Sequence, residues 1–288
     1  MDKNIINKIK KFSYNLRKTI LDTALIAGHN SSHFGGALSS TEIVSTLYSH
    51  VMNLDPQNAL WEDRDRFILS KGHACLVLYS ALAEIGYIKK DDLKYFEKSE
   101  SDFPGHPVMN KKIGIEFSTG SLGMGLSLGI GVAISSKKKL KNFKTYVLLG
   151  DGECNEGSVW EAAMLANHLK IDNLTAILDN NGFQQTGTNK DILQTNSLLK
   201  MWSSFGWETI EVDGHDVNEL IDAFNLKSNK PKIIIAKTIK GKGFSFSENN
   251  NDWHHKVLTQ EQYDIGLKEL KENEFWSKEN KNVLNYRA

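Results

Sequence analysis

The residues in this chain best suited to chemistry are one aspartate, one asparagine pair and a set of loop histidines. Asp151 sits between glycines in Gly150-Asp151-Gly152, and Asn180-Asn181 follows about thirty residues later. A carboxylate and an amide oxygen are hard donors of the sort Mg2+ or Ca2+ takes, and Mg2+ tends to combine one or two carboxylates with phosphate oxygens of a ligand. The flanking glycines let the backbone approach that ligand, and a helix N-terminus beyond Glu153 offers unpaired N–H groups to an anion. The chemistry these residue types suit is the holding of a metal-bridged diphosphate.

His33, His73, His106 and His254 each lie among glycines or small polar residues. Imidazole donates or accepts a hydrogen bond near neutral pH, which suits hydroxyl binding and proton transfer on a polyol. A single loop histidine is more often solvated or structural; four in such settings form a set. His29, His50, His168, His215 and His255 are read as structural or surface residues.

The elements that must position these groups follow from apolar patterning. Residues 146–149 and 174–178 are apolar runs, and a run apolar on both faces suits a strand covered by helices on both sides. Residues 146–183 therefore read as strand, glycine turn, crossover helix and parallel strand. Ligands settle at the carboxyl ends of such strands, which brings Asp151 and Asn181 together. Upstream, a helix runs from about residue 4 to Ala27 and stops at Gly28; a loop through Gly36 carries His33, and a second helix starts near Ser40. A strand over 66–70 feeds directly into Lys71-Gly72-His73, and a helix over 76–85 follows. Asp91-Asp92 caps a short helix, residues 103–107 form a rigid loop presenting His106, and a small-residue helix ends near Ser136. Downstream lie a polar loop over 182–195, a helix over 197–205, a strand over 208–212, a helix over 217–226, a central strand over 233–236 and a polar loop at 240–255. The fold class is α/β: a central, mostly parallel sheet flanked by helices on both faces. No linker divides the chain, so residues 1–288 read as one domain with a polar C-terminal tail from about 276.

Lys+Arg and Asp+Glu both number 35, so the formal net charge is zero and nothing suggests a nucleic-acid or membrane surface. Cys75 and Cys154 are too few and too scattered for a disulfide framework or a zinc site, which fits a cytoplasmic protein. The lysine-interleaved N-terminus reads as an amphipathic helix, not an export signal. Gly120, Gly123 and Gly125 loosely imitate a dinucleotide fingerprint, but their order is not GxGxxG and residues 115–119 make a poor buried strand.

Gly150-Asp151-Gly152 closing on Asn180-Asn181 resembles the thiamine diphosphate (ThDP) motif. Ser32-His33-Phe34-Gly35-Gly36, Asp65-Arg66-Phe67-Ile68-Leu69-Ser70-Lys71-Gly72-His73-Ala74, Gly105-His106-Pro107, Ser118-Thr119-Gly120-Ser121-Leu122-Gly123 and Trp253-His254 occur in the order found in transketolase. From about residue 8 to 272 the chain is similar to the N-terminal, diphosphate-binding half of that family, which some organisms make as a separate subunit.

The resemblance implies the ThDP-binding fold, with Asp151, Asn181 and the backbone carbonyl of Phe183 as Mg2+ ligands. It implies that Gly152, His73 and His254 contact the diphosphate, that Gly120, Ser121 and Leu122 line the aminopyrimidine, and that Glu156 lies at a subunit contact beside the cofactor. His33, His106 and His254 would bind sugar hydroxyls or move protons. The implied reaction is transfer of a two-carbon ketol unit from a ketose to an aldose, with the cofactor as electron sink. Family enzymes also need a glutamate from a pyrimidine-binding domain. That domain is expected on a separate partner chain, the two kinds of chain forming a heterotetramer, and this one is expected to be inactive alone.

Four departures bear on the substrate: Phe34 replaces a proline, Val108 an acidic residue, Met124 a glutamine and His255 a glycine. Phe34 and Val108 beside the sugar-binding histidines imply a bulkier, less polar pocket. The alternatives are a specialised or activated sugar acceptor and a non-catalytic scaffold role that retains the fold.

Overall fold

The structure is a computed structural model that describes residues 2–272; the tail expected from about 276 lies outside the described residues. Five strands, β1 (Arg66–Leu69), β2 (Thr145–Gly150), β3 (Leu174–Asn180), β4 (Glu208–Asp213) and β5 (Lys232–Lys237), form one sheet in the order β1-β2-β3-β5-β4. Every pairing in it is parallel. Among the described residues ten α-helices accompany them: α1 (Lys3–Ala27), α2 (Phe34–Ser39), α3 (Thr41–Thr46), α4 (Cys75–Glu84), α5 (Gly125–Lys138), α6 (Gly157–His168), α7 (Asn189–Ile192), α8 (Leu198–Ser204), α9 (Val217–Asn225) and α10 (Gln260–Glu272).

The period-2 geometry of a strand explains why the central strands read as continuous apolar runs. Phe67, Leu69, Tyr146, Leu148, Ile177, Ile234 and Ala236 enter one core with residues of α1, α2, α3, α4, α9 and α10. The residues between them, Ile68, Val147, Leu149, Ala176, Leu178, Ile233 and Ile235, enter a second core with α5, α6 and α8. Both faces of the sheet are covered, so each position needs an apolar side chain. Full burial of one such Leu or Ile contributes about 1.5–3 kcal/mol relative to exposure.

The alternation of faces also places the site. The chain leaves β1 for α4 in the first core and leaves β2 for α6 in the second, so the two loops diverge at the sheet's carboxyl edge. The same happens between β3, which leads to α8, and β5, which leads to α10. Divergent loops at adjacent strand ends open the crevices in which α/β proteins bind ligands.

Helix α1 begins on Asp2, whose side chain accepts the Asn4 N–H, and stops at Gly28 with φ 55°. The expected loop through Gly36 is instead helical from Phe34. Glycine is a helix breaker by propensity, but here its lack of a side chain permits contact: a Cβ on Gly35 would lie 2.9 Å from the Trp253 carbonyl oxygen, and one on Gly36 would lie 3.3 Å from the His73 ring. The polar stretch 182–195 contains the short helix α7, whose cap is the Thr188 hydroxyl. Residues 115–119 form no strand, in keeping with the imperfect dinucleotide pattern. Among the described residues, no helix is long and apolar enough to cross a membrane.

Candidate active site

The loops after β1, β2, β3 and β5 meet at the carboxyl edge of the sheet. One buried glutamate ties the first two together. Glu153, in the single 3-10 turn after Asp151, accepts hydrogen bonds from the Ser70 hydroxyl, from the Gly123 N–H at 2.9 Å and from the Gly150 N–H at 3.0 Å. Ser70 follows β1, Gly123 precedes α5 and Gly150 ends β2, so this one side chain sets the spacing of three segments. Glycines bring the loops into close contact. A Cβ on Gly72 would fall 2.6 Å from the Gly120 nitrogen, and one on Gly152 would fall 2.8 Å from Gln184.

Asp151 is buried, and its carboxylate accepts the N–H groups of Gly152 (2.8 Å) and Gly182 (2.6 Å) and the Asn189 amide (2.8 Å). Burial, reinforced by the nearby Asp179, pushes its pKa up to about 6 against the opposing pull of those hydrogen bonds. Asn181 follows in the next loop; its Oδ1 accepts the Phe183 N–H at 3.1 Å and its amide donates to Asp179 at 3.0 Å. The Asn189 Oδ1 is buried and lacks a hydrogen-bond partner among the described residues. These donors are all oxygens, and among the described residues no group of three His, Cys, Asp or Glu could hold a metal ion. The set fits a hard cation that completes its shell with phosphate oxygens, and it does not fit a transition metal bound by protein alone.

Beneath this layer lies an ion pair that no sequence pattern announces. Lys71 and Asp179, 1% and 0% exposed, are in direct contact. Ser39 and Thr238 donate hydroxyls to Asp179, and Lys71 also donates to the Gly36 carbonyl at 3.0 Å. Burial alone would raise the Asp179 pKa, but the Lys71 charge and these hydrogen bonds overcome it and hold the carboxyl below its usual range. A second lysine, Lys240, reaches in from the loop after β5. Its ammonium donates to the Asn251 amide oxygen (2.7 Å) and the Gln184 carbonyl (3.2 Å), and lies 3.1 Å from His254 Nδ1. Burial, then the repulsion of Lys71, lowers its pKa to about 8. Both lysines occupy positions in motif-like stretches, Ser70-Lys71-Gly72-His73 and Lys240-Gly241-Lys242-Gly243, but neither has a sequence signal that separates it from a solvated lysine.

The four histidines singled out by sequence form one cluster. His33 is its hub, with ring centroids 5.5 Å from His73, 5.3 Å from His106 and 5.3 Å from His254. Burial lowers the His33 pKa to about 3, with repulsion from the neighbouring rings adding to it; burial and Lys240 lower that of His254 to about 4. His73 is held well below the usual range by burial and Lys71, and His106 is lowered by burial. The cluster is uncharged at neutral pH, so each ring offers one donor and one acceptor. Gly120 abuts it: a Cβ there would meet the His106 ring at 2.8 Å. Ser121 and Leu122 are exposed beyond Gly120, and Glu156 is exposed at the start of α6, against Gly123.

Two assignments change. His255, read as structural or surface, is exposed but lies 4.4 Å from the His33 ring centroid and joins the cluster. Phe34 does not make the pocket bulkier or less polar: its ring is fully buried, stacked 5.8 Å from Phe244 and tilted 5.4 Å from Trp253. It points away from its neighbour His33 because Phe34 opens α2. Val108, two positions beyond His106, is 56% exposed. His215 is structural, as read: its Nε2 accepts the Ile239 N–H at 2.9 Å, which leaves Nδ1 to donate to Glu42 at 2.8 Å.

A family model described as transketolase, thiamine diphosphate binding domain matches residues 10–282. The chain is 46% identical over 242 residues to an apulose-4-phosphate transketolase subunit of Actinobacillus succinogenes, covering 83% of this chain and 88% of that one. It is 38% identical over 241 residues to the 6-deoxy-6-sulfo-D-fructose transketolase subunit SqwG of a Clostridium species, covering 83% and 88%. Among solved structures, transketolase from Leishmania mexicana superposes with a TM-score of 0.84 at 28% identity, over 91% of this chain and 41% of that chain. The chain thus spans about two fifths of that larger protein and most of each of the two subunits.

Proposed function

This chain belongs to the family of transketolase thiamine diphosphate-binding domains, and we propose that it is the single-domain, diphosphate-binding component of a two-component transketolase. The reaction is transfer of a two-carbon ketol unit from a ketose to an aldose. The observation that carries this reading is the meeting, at one sheet edge, of an all-oxygen donor set and a cluster of uncharged imidazoles.

ThDP, when bound, supplies the electron sink for carbon–carbon cleavage. The protein's own residues hold and orient. Asp151, the Asn181 amide oxygen and the Phe183 carbonyl bind Mg2+; Gly152, His73, His254 and Lys240 face the diphosphate. Gly120, Ser121 and Leu122 line the aminopyrimidine side. His33, His106 and His254 bind sugar hydroxyls, and as neutral rings each accepts a proton on one nitrogen while donating from the other. Glu156, exposed at the start of α6, meets a neighbouring chain.

The partner is a separate chain carrying the pyrimidine-binding domain and its glutamate, joined in a heterotetramer. That the relatives of similar length are named as subunits of a transketolase supports this. Their names also make a phosphorylated ketose such as apulose 4-phosphate the first donor to try. The test is a two-carbon transfer assay with the purified chain, ThDP and Mg2+, with and without the candidate partner, on a panel of ketoses and aldehydes. Activity that appears only with the partner is expected; turnover by this chain alone, or silence of a verified complex across the panel, would overturn the proposal.

A further inference from the structure

His255 is the outermost ring of the histidine cluster. Its location is set by backbone pairing. Ser32 and Lys256 form an isolated antiparallel bridge, with Ser32 N–H donating to the Lys256 carbonyl at 3.3 Å and Lys256 N–H to the Ser32 carbonyl at 3.2 Å. In antiparallel pairing the residue after one partner faces the residue before the other, so His33 and His255 are cross-strand neighbours. Their 4.4 Å centroid separation is the result. His33 is half-buried and His255 is exposed, so the pair runs from the interior of the crevice to its mouth.

Ser31 completes the arrangement. Its backbone has φ 57° and ψ −177°, a region that essentially only glycine enters without strain. Its hydroxyl donates to the Asn30 carbonyl at 2.6 Å, so its single proton is committed, and it lies 3.0 and 3.2 Å from the two ring nitrogens of His255. Toward His255 the hydroxyl can therefore only accept. The same oxygen is within reach of both nitrogens, so it holds the ring in place without fixing which of them carries the proton, and a neutral imidazole offers one donor and one acceptor. That combination matches a sugar hydroxyl, which both donates and accepts, better than a phosphate or sulfonate oxygen, which only accepts.

We propose that His255, held by Ser31, is a specificity-determining residue that hydrogen-bonds a hydroxyl on the part of the sugar chain lying toward the mouth of the crevice. The proposal rests on the reading of the His33 cluster as a sugar site.

The test uses the complex with its partner and compares acceptor and donor sugars with analogues lacking one hydroxyl at a time. A single hydrogen bond contributes about 0.5–1.5 kcal/mol, which corresponds to about a 2- to 13-fold preference. The wild-type complex is expected to show a preference of that size in kcat/KM for one hydroxyl, and His255→Gly to erase it for that hydroxyl alone. His255→Asn, which keeps an acceptor, is expected to restore part of it. Equal discrimination in the wild type and His255→Gly would overturn the subsite and leave the transketolase reading standing. A uniform loss over all analogues in both His255 variants would also overturn it, because that is the signature of a disturbed loop. No turnover by the wild-type complex on any sugar would overturn both readings together.

Discussion

The two sides of the crevice solve opposite electrostatic problems. On the side of β2 and β3, charges are kept in the interior: Asp151, Glu153 and Asp179 are buried, each surrounded by N–H groups, hydroxyls or an ammonium. On the histidine side, charge is kept out, because Lys71 and Lys240 stand behind rings already disfavoured as cations by burial. The same two lysines therefore serve both sides: they offset buried carboxylates and keep the imidazoles neutral.

Removing the outermost group of the carboxylate side has the largest expected effect. Asp151→Ala is expected to abolish Mg2+-dependent ThDP retention and two-carbon transfer together, measured by cofactor titration and by turnover of the reconstituted complex. On the other side, His33→Asn is expected to lower turnover by about 10²-fold or more, the usual worth of a positioned acid–base group. Its cofactor titration should stay near that of the wild type, which is what would separate the two sides. The Lys71→Met substitution strikes the element they share. Leaving Asp179 buried without its partner is expected to cost about 3–5 kcal/mol, read from urea unfolding, and adding Asp179→Asn should recover part of the loss.

The smallest effect distinguishes the two sides by pH. His33 and His254 have folded pKa values of about 3 and 4, below the ordinary 6.5 of an exposed ring. The unfolded chain therefore binds more protons between those limits, and the stability they contribute is complete above about pH 6.5 and lost as pH falls through 4 to 3. Urea unfolding at pH 7 and pH 5 should show the decline, and His33→Asn should flatten it. A histidine-side stability that rose on acidification would contradict the neutral cluster.

Legibility in the sequence tracks how local each feature is. Gly150-Asp151-Gly152 and Asn180-Asn181 lie at the ends of two apolar runs, and the strand pattern alone puts them side by side. The histidines come from loops far apart in sequence, and only the resemblance joins them. Lys71 and Asp179 leave no signal because a charge at the end of a strand looks like a solvated terminus; the packing of α2 over it is what makes it buried. His255 is hidden for a similar reason, since its neighbour His33 is supplied by a two-residue bridge too short to leave a pattern. Phe34 misleads because adjacency in sequence is not adjacency in space: His33 faces the crevice and Phe34 lies in the core.

The Lys71–Asp179 pair also orders the chain's assembly in time. Its members are 108 positions apart, and the Ser39 hydroxyl joins Asp179 from 140 positions away. A wholly parallel sheet has no hairpins to zip, so each pairing waits on a crossover, and such non-local topologies fold slowly. The units β4-α9-β5 and β2-α6-β3 can close first, since each joins neighbouring strands through one short crossover. Until β1 and α2 dock on the latter, Asp179 has no ammonium to meet, and the crevice they complete is a late product of folding.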